Sequence, residues 1–307
     1  MFETKIIEYK DYGKCLSITN GIVDLAVTID IGPRIIRYGF VDGINIMLDD
    51  RSFLTPNTNE KFEKYYGKGK FYCGYGGHRL WISPEYYPEM YFPDNDPVEY
   101  EIVGNSVIFT PPVQVENSLQ HRITVTLSEN STEVQVNHEV QNLSDRNKEF
   151  ALWALTMAAK GGIEIIPMNT DNTHLLPNRK MVLWPYTNPQ AKNIFLGKKY
   201  TTIEQPESGA LKLGFDLKAG IAYYVLDDVV FTKKYYPNFP NGVYPDGGVS
   251  FETYSCTKFT ELETLGEYKK VAPGETVTHA EKWSLCKKPC EVDYKDENSI
   301  DQFIEKL

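Results

Sequence analysis

Histidine and cysteine are scarce in this chain of 307 residues, with five of each. Five scattered cysteines, an odd number, do not make a disulfide framework and read as the free thiols of a reducing compartment. Cys286 and Cys290 lie close to His279 in sequence, but no second ligand pair completes a zinc set, so neither a metal nor a cofactor is expected. No stretch approaches the ~18 consecutive apolar residues of a membrane span. Met1–Lys10 carries Glu3, Lys5, Glu8 and Lys10, which leaves no room for the apolar core of a leader. The expectation is a soluble, cytoplasmic protein with no membrane partner, in which the sequons at Asn130 and Asn142 are accidental. Basic residues are also in deficit. With 32 Lys+Arg against 42 Asp+Glu, the net charge of -10 argues against nucleic acid as a partner, because neutralising phosphates needs a basic face. The sequence has no phosphate-cradling Gly-Lys-Ser/Thr loop, dinucleotide glycine fingerprint, His-Glu-x-x-His or Gly-x-Ser-x-Gly elbow, so nucleotide and serine-hydrolase chemistry are disfavoured.

The chain is instead rich in aromatic and turn-forming residues: 21 Tyr, 22 Gly and 18 Pro. That composition suits β-structure. From Ile22 to Met47, Val23, Leu25, Val27 and Ile29 alternate before a Gly32-Pro33 break and a second β-branched run, which predicts a pair of strands. Similar runs at 98–110, 121–128, 133–140, 220–225 and 249–257 predict further strands. In Glu133–Val140 the valines and His138 fall on one face, with Glu133, Gln135, Asn137 and Glu139 on the other. Glu149–Lys160 reads as strand or helix, and its alternation favours strand. Ser299, with Gln302 at the capping-box position and Ile300, Phe303, Ile304 and Leu307 on one face, predicts a short terminal helix. No linker or repeat divides the chain. The expected fold is all-β: one β-sandwich domain over residues 1–307, with a core of about 15–285 and a C-terminal extension over 286–307. Two long loops interrupt it, Phe53–Pro97 and Asn169–Gly197, and loops of that length are usually functional.

The first loop contains Tyr75-Gly76-Gly77-His78-Arg79-Leu80-Trp81-Ile82-Ser83-Pro84-Glu85. Paired polar groups at His78, Arg79 and Glu85 beside a flat Trp81 wall suit a sugar, whose hydroxyls need hydrogen bonds and whose C–H face needs an aromatic surface. The bland alternative is a glycine turn leading into a strand anchored by a core Trp81, with Arg79 and Glu85 as an ion pair. A second cluster runs from Tyr244 to Glu275 and includes Asp246. If Phe259–Leu265 is a strand, Glu261 and Glu263 project from one face, opposite Thr260, Leu262 and Thr264. On the concave side of a sheet, crowding and partial burial would raise the pKa of at least one of them, which suits proton transfer; on a solvent face they would merely solubilise. His121 and His138 read as core or edge histidines, whereas His174 sits in an open loop that could rim a site.

In order, these segments resemble the galactose mutarotase (aldose 1-epimerase) superfamily. The features that carry the resemblance are Gly32-Pro33-Arg34-Ile35 with Asn45, Gly76-Gly77-His78-Arg79-Leu80-Trp81, Asn142-Leu143-Ser144-Asp145, and Glu261-Leu262-Glu263 followed by Ala272-Pro273-Gly274-Glu275. The resemblance implies a β-supersandwich whose concave face binds a small-molecule sugar. It also implies an isomerase that interconverts anomers of an aldose by acid/base catalysis, with Glu263 as base and His78 as the binding or charge-stabilising histidine. Arg79, Trp81, Glu85, Trp153, Asp246, Glu261 and His174 are the expected binding residues. At the place of the family's acid histidine this chain has Trp153-Ala154-Leu155-Thr156. Three possibilities stay open: His78, His174 or Lys160 supplies the proton, the protein binds sugar without epimerising it, or the scaffold hosts other carbohydrate chemistry.

Overall fold

The computed structural model describes residues 2–307 apart from Phe53 and Thr55, so the start of the first expected loop lies outside the described residues. The strands, in chain order, are β1 Glu3–Glu8, β2 Lys14–Thr19, β3 Val23–Thr28, β4 Ile35–Phe40, β5 His78–Ser83, β6 Glu99–Val103, β7 Ser106–Thr110, β8 Leu119–Leu127, β9 Val134–Asn142, β10 Lys148–Ala158, β11 Ile163–Pro167, β12 Met181–Leu183, β13 Ile194–Leu196, β14 Tyr200–Glu204, β15 Ala210–Phe215, β16 Ile221–Leu226, β17 Val229–Tyr235, β18 Phe251–Cys256, β19 Thr260–Leu265, β20 Lys269–Val271 and β21 Thr276–Lys287. Two short helices complete the set, α1 Glu60–Tyr66 and α2 Glu297–Ile304.

The strands form two antiparallel sheets. One follows the order β1-β2-β3-β4-β5-β10-β19-β18-β15-β12, with β20 paired to β10; the other runs β13-β14-β11-β16-β17-β21-β9-β8-β7-β6. Their facing sides share one core, to which the first sheet gives Leu80, Leu152, Leu262 and Phe251 and the second Val136, Tyr224, Phe231 and Trp283. In β9 the alternation holds as the sequence predicts, with Val134, Val136, His138 and Val140 inside. β10 resolves the strand-or-helix ambiguity as a strand that is buried on both faces from Phe150 to Ala158. One face meets the second sheet. The other lies under Phe62, Tyr66 and Tyr72 from the connection between β4 and β5 and under Met90 from the loop before β6, so its sequence reads as a continuous apolar run.

The connection between β4 and β5 contains a helix the sequence reading did not predict. Asn59 caps α1 by accepting from the Phe62 N–H, and Phe62 and Tyr66 are buried one turn apart. The terminal helix starts earlier than expected. Asp296, not Ser299, is its N-cap, accepting from the Asn298 N–H, while the Ser299 hydroxyl accepts from the Asp293 N–H at 2.9 Å. Ile300 and Phe303 dock on the outer face of the second sheet against Ile165, Tyr223 and Val225, and Leu307 is left exposed.

Entry into β5 depends on Gly76 and Gly77, both with positive φ (81° and 58°). A Cβ on Gly77 would stand 2.3 Å from the Ile35 carbonyl oxygen, closer than any side chain tolerates. The glycine pair therefore lets the chain turn against β4 and enter the sheet with His78 and Arg79 on opposite faces.

Candidate active site

Register across β5, β10, β19, β18 and β15 decides which side chains meet. Leu155 faces Arg79 on one side and Glu263 on the other, Glu263 pairs with Glu252, Glu261 with Tyr254, and Tyr254 with Lys212. Because neighbouring paired residues share a face, Arg79, Trp81, Trp153, Glu261, Glu263, Glu252, Tyr254 and Lys212 stand together on the outer side of the first sheet. His78, Thr156, Leu262 and Thr264 point the other way, into the sandwich.

The outer face is a polar floor within aromatic walls. Lys212 Nζ lies 2.9 Å from Glu263 Oε2 and 2.8 Å from Glu252 Oε2; the second contact is an ion pair without an aligned hydrogen bond. Glu263 Oε2 also accepts from Trp153 Nε1 at 2.8 Å. Arg79 Nη2 reaches Glu261 Oε1 at 3.4 Å, and its guanidinium stacks 4.1 Å over Trp81. Trp81 packs against Tyr72, Tyr91 and Trp153, and the Lys212 ammonium sits beneath Trp153 and Trp184. Five polar atoms on this floor, Glu263 Oε1, both carboxylate oxygens of Glu252, Arg79 Nε and Trp81 Nε1, are buried without a hydrogen-bond partner. Such atoms are rare because each carries a desolvation cost, so five on one face mark a place built to bond something else.

Charges on the floor tune one another. Burial raises Glu261 to about 7, with Arg79 working against the rise and Glu263 adding to it. Burial also lifts Glu252, opposed by Lys212. For Lys212 burial disfavours the charge, but Glu263 and Glu252 outweigh it and hold the ammonium above an ordinary lysine. Lys212 is therefore a fixed cation, while Glu261 titrates near neutrality.

His78 is not on this floor, which corrects its expected role beside Glu263. It is fully buried between the sheets, in a network whose directions can be deduced. His138 Nδ1–H donates to the His279 carbonyl at 3.0 Å, so His138 Nε2 accepts, and His78 Nε2–H donates to it at 2.8 Å. His78 Nδ1 then accepts from the Thr156 hydroxyl, which accepts from Lys233 Nζ, each at 2.8 Å. Lys233 also donates to the Leu262 carbonyl at 2.8 Å and pairs with Glu281 at 3.0 Å. Thr264 donates to Glu281 and accepts from His279 Nε2–H at 2.7 Å, and Trp283 Nε1 completes Glu281 at 2.9 Å. Burial, His138 and Lys233 keep His78 well below an ordinary histidine, so it is a neutral, doubly engaged imidazole with no free nitrogen for a sugar. His78, His138 and Glu281 are near enough to share a metal ion, but the Lys233 ammonium already supplies their cation.

The remaining expected residues lie around the floor. Asp246 accepts from Ser83 at 3.0 Å on the same side of the sheet. Glu85 accepts from the Tyr91 hydroxyl and is exposed, so the partner of Arg79 is Glu261 rather than Glu85. His174 is exposed on its loop, its N–H bonded to Asn172, and no contact among the described residues joins it to the carboxylates. Lys160 is exposed beside Asp49, Asp50 and Lys258. Sequence reasoning missed Lys212, Glu252, Trp184, Tyr254 and Lys233. A charged residue inside an apolar strand run, as in Leu211-Lys212-Leu213 or Phe251-Glu252, was the available signal.

No protein-family model and no curated protein matches the chain. Solved structures do. A galactose 1-epimerase from Lactobacillus acidophilus NCFM is similar at a TM-score of 0.52 and 13% identity, over 94% of this chain and 99% of that one. A galactose mutarotase-like protein from Lactobacillus casei ATCC 334 also gives 0.52, at 10% identity, over 89% and 100%. A TPR-domain containing protein from Parabacteroides distasonis ATCC 8503 gives 0.61 at 11% identity, where the match spans 91% of this chain and 48% of the longer one. No helix among the described residues is long and apolar enough to cross a membrane. The chain has two antiparallel sheets packed face to face and matches the two Lactobacillus proteins over nearly their whole length: it has the galactose mutarotase-like fold.

Proposed function

We propose that the protein binds an aldose on the outer face of the first sheet and interconverts its anomers, with Glu263 as the base and Glu261 as the acid. The observation that carries this reading is the pair itself: two buried acids on one face, one held against a fixed Lys212 cation and the other titrating at about 7. Anomerisation needs a proton removed from the C1 hydroxyl and one delivered to the ring oxygen, and both oxygens are borne by C1. Two acids side by side on one strand suit that demand, whereas glycosidic cleavage wants carboxylates on opposite sides of the bond. A protonated Glu261 then does the work of the histidine that this chain lacks. Proton transfer to the ring oxygen opens the ring as Glu263 takes the hydroxyl proton, the C1–C2 bond rotates, and closure returns both protons. Trp81 supplies the stacking surface. The unpartnered Arg79 Nε, Trp81 Nε1 and Glu263 Oε1 are the groups a polyhydroxylated ring would satisfy.

The test is anomer exchange by NMR on neutral, acidic and phosphorylated aldoses. Glu261→Gln and Glu263→Gln should each abolish acceleration while saturable binding persists. Binding without acceleration in the wild type would replace the enzyme reading with a sugar-binding one, a reading favoured by the double restraint of Glu263 Oε2 by Trp153 and Lys212.

A further inference from the structure

The floor does not end at Lys212. The segment Trp184–Thr187 is fastened to that residue's backbone: Thr187 Oγ1 donates to the Lys212 carbonyl at 2.7 Å and accepts from its N–H at 2.8 Å, and the Trp184 N–H reaches the same carbonyl at 3.3 Å. Tyr186, in the middle of this segment, stands edge-on to Tyr254 of the floor and is half exposed. On its far side a groove opens, lined by Tyr186, Asn188, Lys192, Gln205, Ser208 and Ala210 among others. Its volume of about 770 Å³ falls within the ~300–1,000 Å³ usual for small-molecule sites. Ala210 lies on the same strand face as Lys212, two residues away, so floor and groove share that strand, and Tyr186 touches both.

The lining suits a second sugar. An exposed tyrosine ring offers a stacking surface, while the amide, hydroxyl and ammonium groups of Asn188, Gln205, Ser208 and Lys192 offer donors and acceptors in several directions. Accepting the reading that the floor holds an aldose, we propose that the groove is a subsite for the next residue of the chain. The substrate is then a reducing oligosaccharide, with its terminal aldose over Glu261 and Glu263 and its neighbour against Tyr186. An aldose with a free anomeric carbon can carry a further sugar on another hydroxyl, so the two sites are chemically compatible.

The experiment compares anomer exchange, or saturable binding where there is no exchange, for glucose and galactose against maltose, cellobiose, isomaltose, lactose and melibiose. At least one disaccharide should exceed the monosaccharide of its own reducing end by tenfold or more in kcat/KM or affinity. Ser208→Trp, which fills the groove from an exposed loop position, should remove that advantage and leave the monosaccharide value unchanged. If monosaccharides are handled as well as every disaccharide, or the substitution lowers both alike, the subsite proposal is overturned while the floor reading stands. If no sugar is bound or exchanged, both fall.

Discussion

Replacing Lys233 with methionine tests the polar network between the sheets. Lys233 and Glu281 are both fully buried, and the ammonium serves Thr156, the Leu262 carbonyl and Glu281 at 2.8, 2.8 and 3.0 Å. Burial pulls the Lys233 ammonium below an ordinary lysine, with Glu281 opposing the pull. Methionine keeps much of the volume but leaves the Glu281 carboxylate buried with only Thr264 and Trp283. Breaking a buried ion pair by removing one partner costs about 3–5 kcal/mol. Glu281→Gln should cost a similar amount by orphaning the ammonium. The double variant should cost less than either single change, because replacing both charges of a buried pair is often close to neutral. The assay is urea unfolding at pH 7 followed by tryptophan fluorescence, with Trp283, itself bonded to Glu281, as a local reporter. A loss below about 1 kcal/mol for Lys233→Met, or additive costs in the double variant, would refute the view that this ion pair holds the network together.

Three further outcomes follow from groups already described. If Glu261 is the acid, with its pKa at about 7, exchange should decline as pH rises through that value, and Glu261→Gln should remove this alkaline limb together with the rate. Glu164 is buried with one oxygen unpartnered, and burial raises it from 4.5 to about 8, with Thr253 opposing and Glu263 adding to the rise. The native state keeps a proton that the unfolded chain loses. The associated stability is complete below 4.5 and declines up to about 8, by at most ~1.4 kcal/mol per pH unit; Glu164→Gln should flatten that decline in unfolding curves taken between pH 5 and 8. His138 and His279 are lowered from 6.5 to about 3, chiefly by burial. Their contribution is present above 6.5 and lost as pH falls towards 3, so their imidazole nitrogen resonances should stay those of neutral rings from pH 8 to pH 5.

Much of the fold was legible because period-two alternation survives wherever a strand has one wet face, as in β9. It fails where both faces are covered: β10 carries the site's Trp153 but reads as a plain apolar run. α1 was lost among loop aromatics, although Asn59 with Phe62 and Tyr66 forms a short capped pattern. For the floor, the common face of Glu261 and Glu263 follows from spacing alone. Lys212 and Glu252 come from other strands and join it only through register, which a single sequence does not display. His78 misled for a related reason. Its adjacency to Arg79 suggested a shared site, whereas adjacency along a strand means opposite faces.

The β19 segment has a consequence for how such a protein can diversify. Glu261 and Glu263 belong to the floor, while Thr264 and the Leu262 carbonyl hold the interior network. Insertion or deletion of one residue there would exchange the two sets, sending carboxylates into the core and threonines to the ligand side. Chemistry and cohesion are thus interleaved in a segment of fixed length. Length can change freely only in loops such as those before β6 and after β12, where an insertion moves no floor side chain to the wrong side.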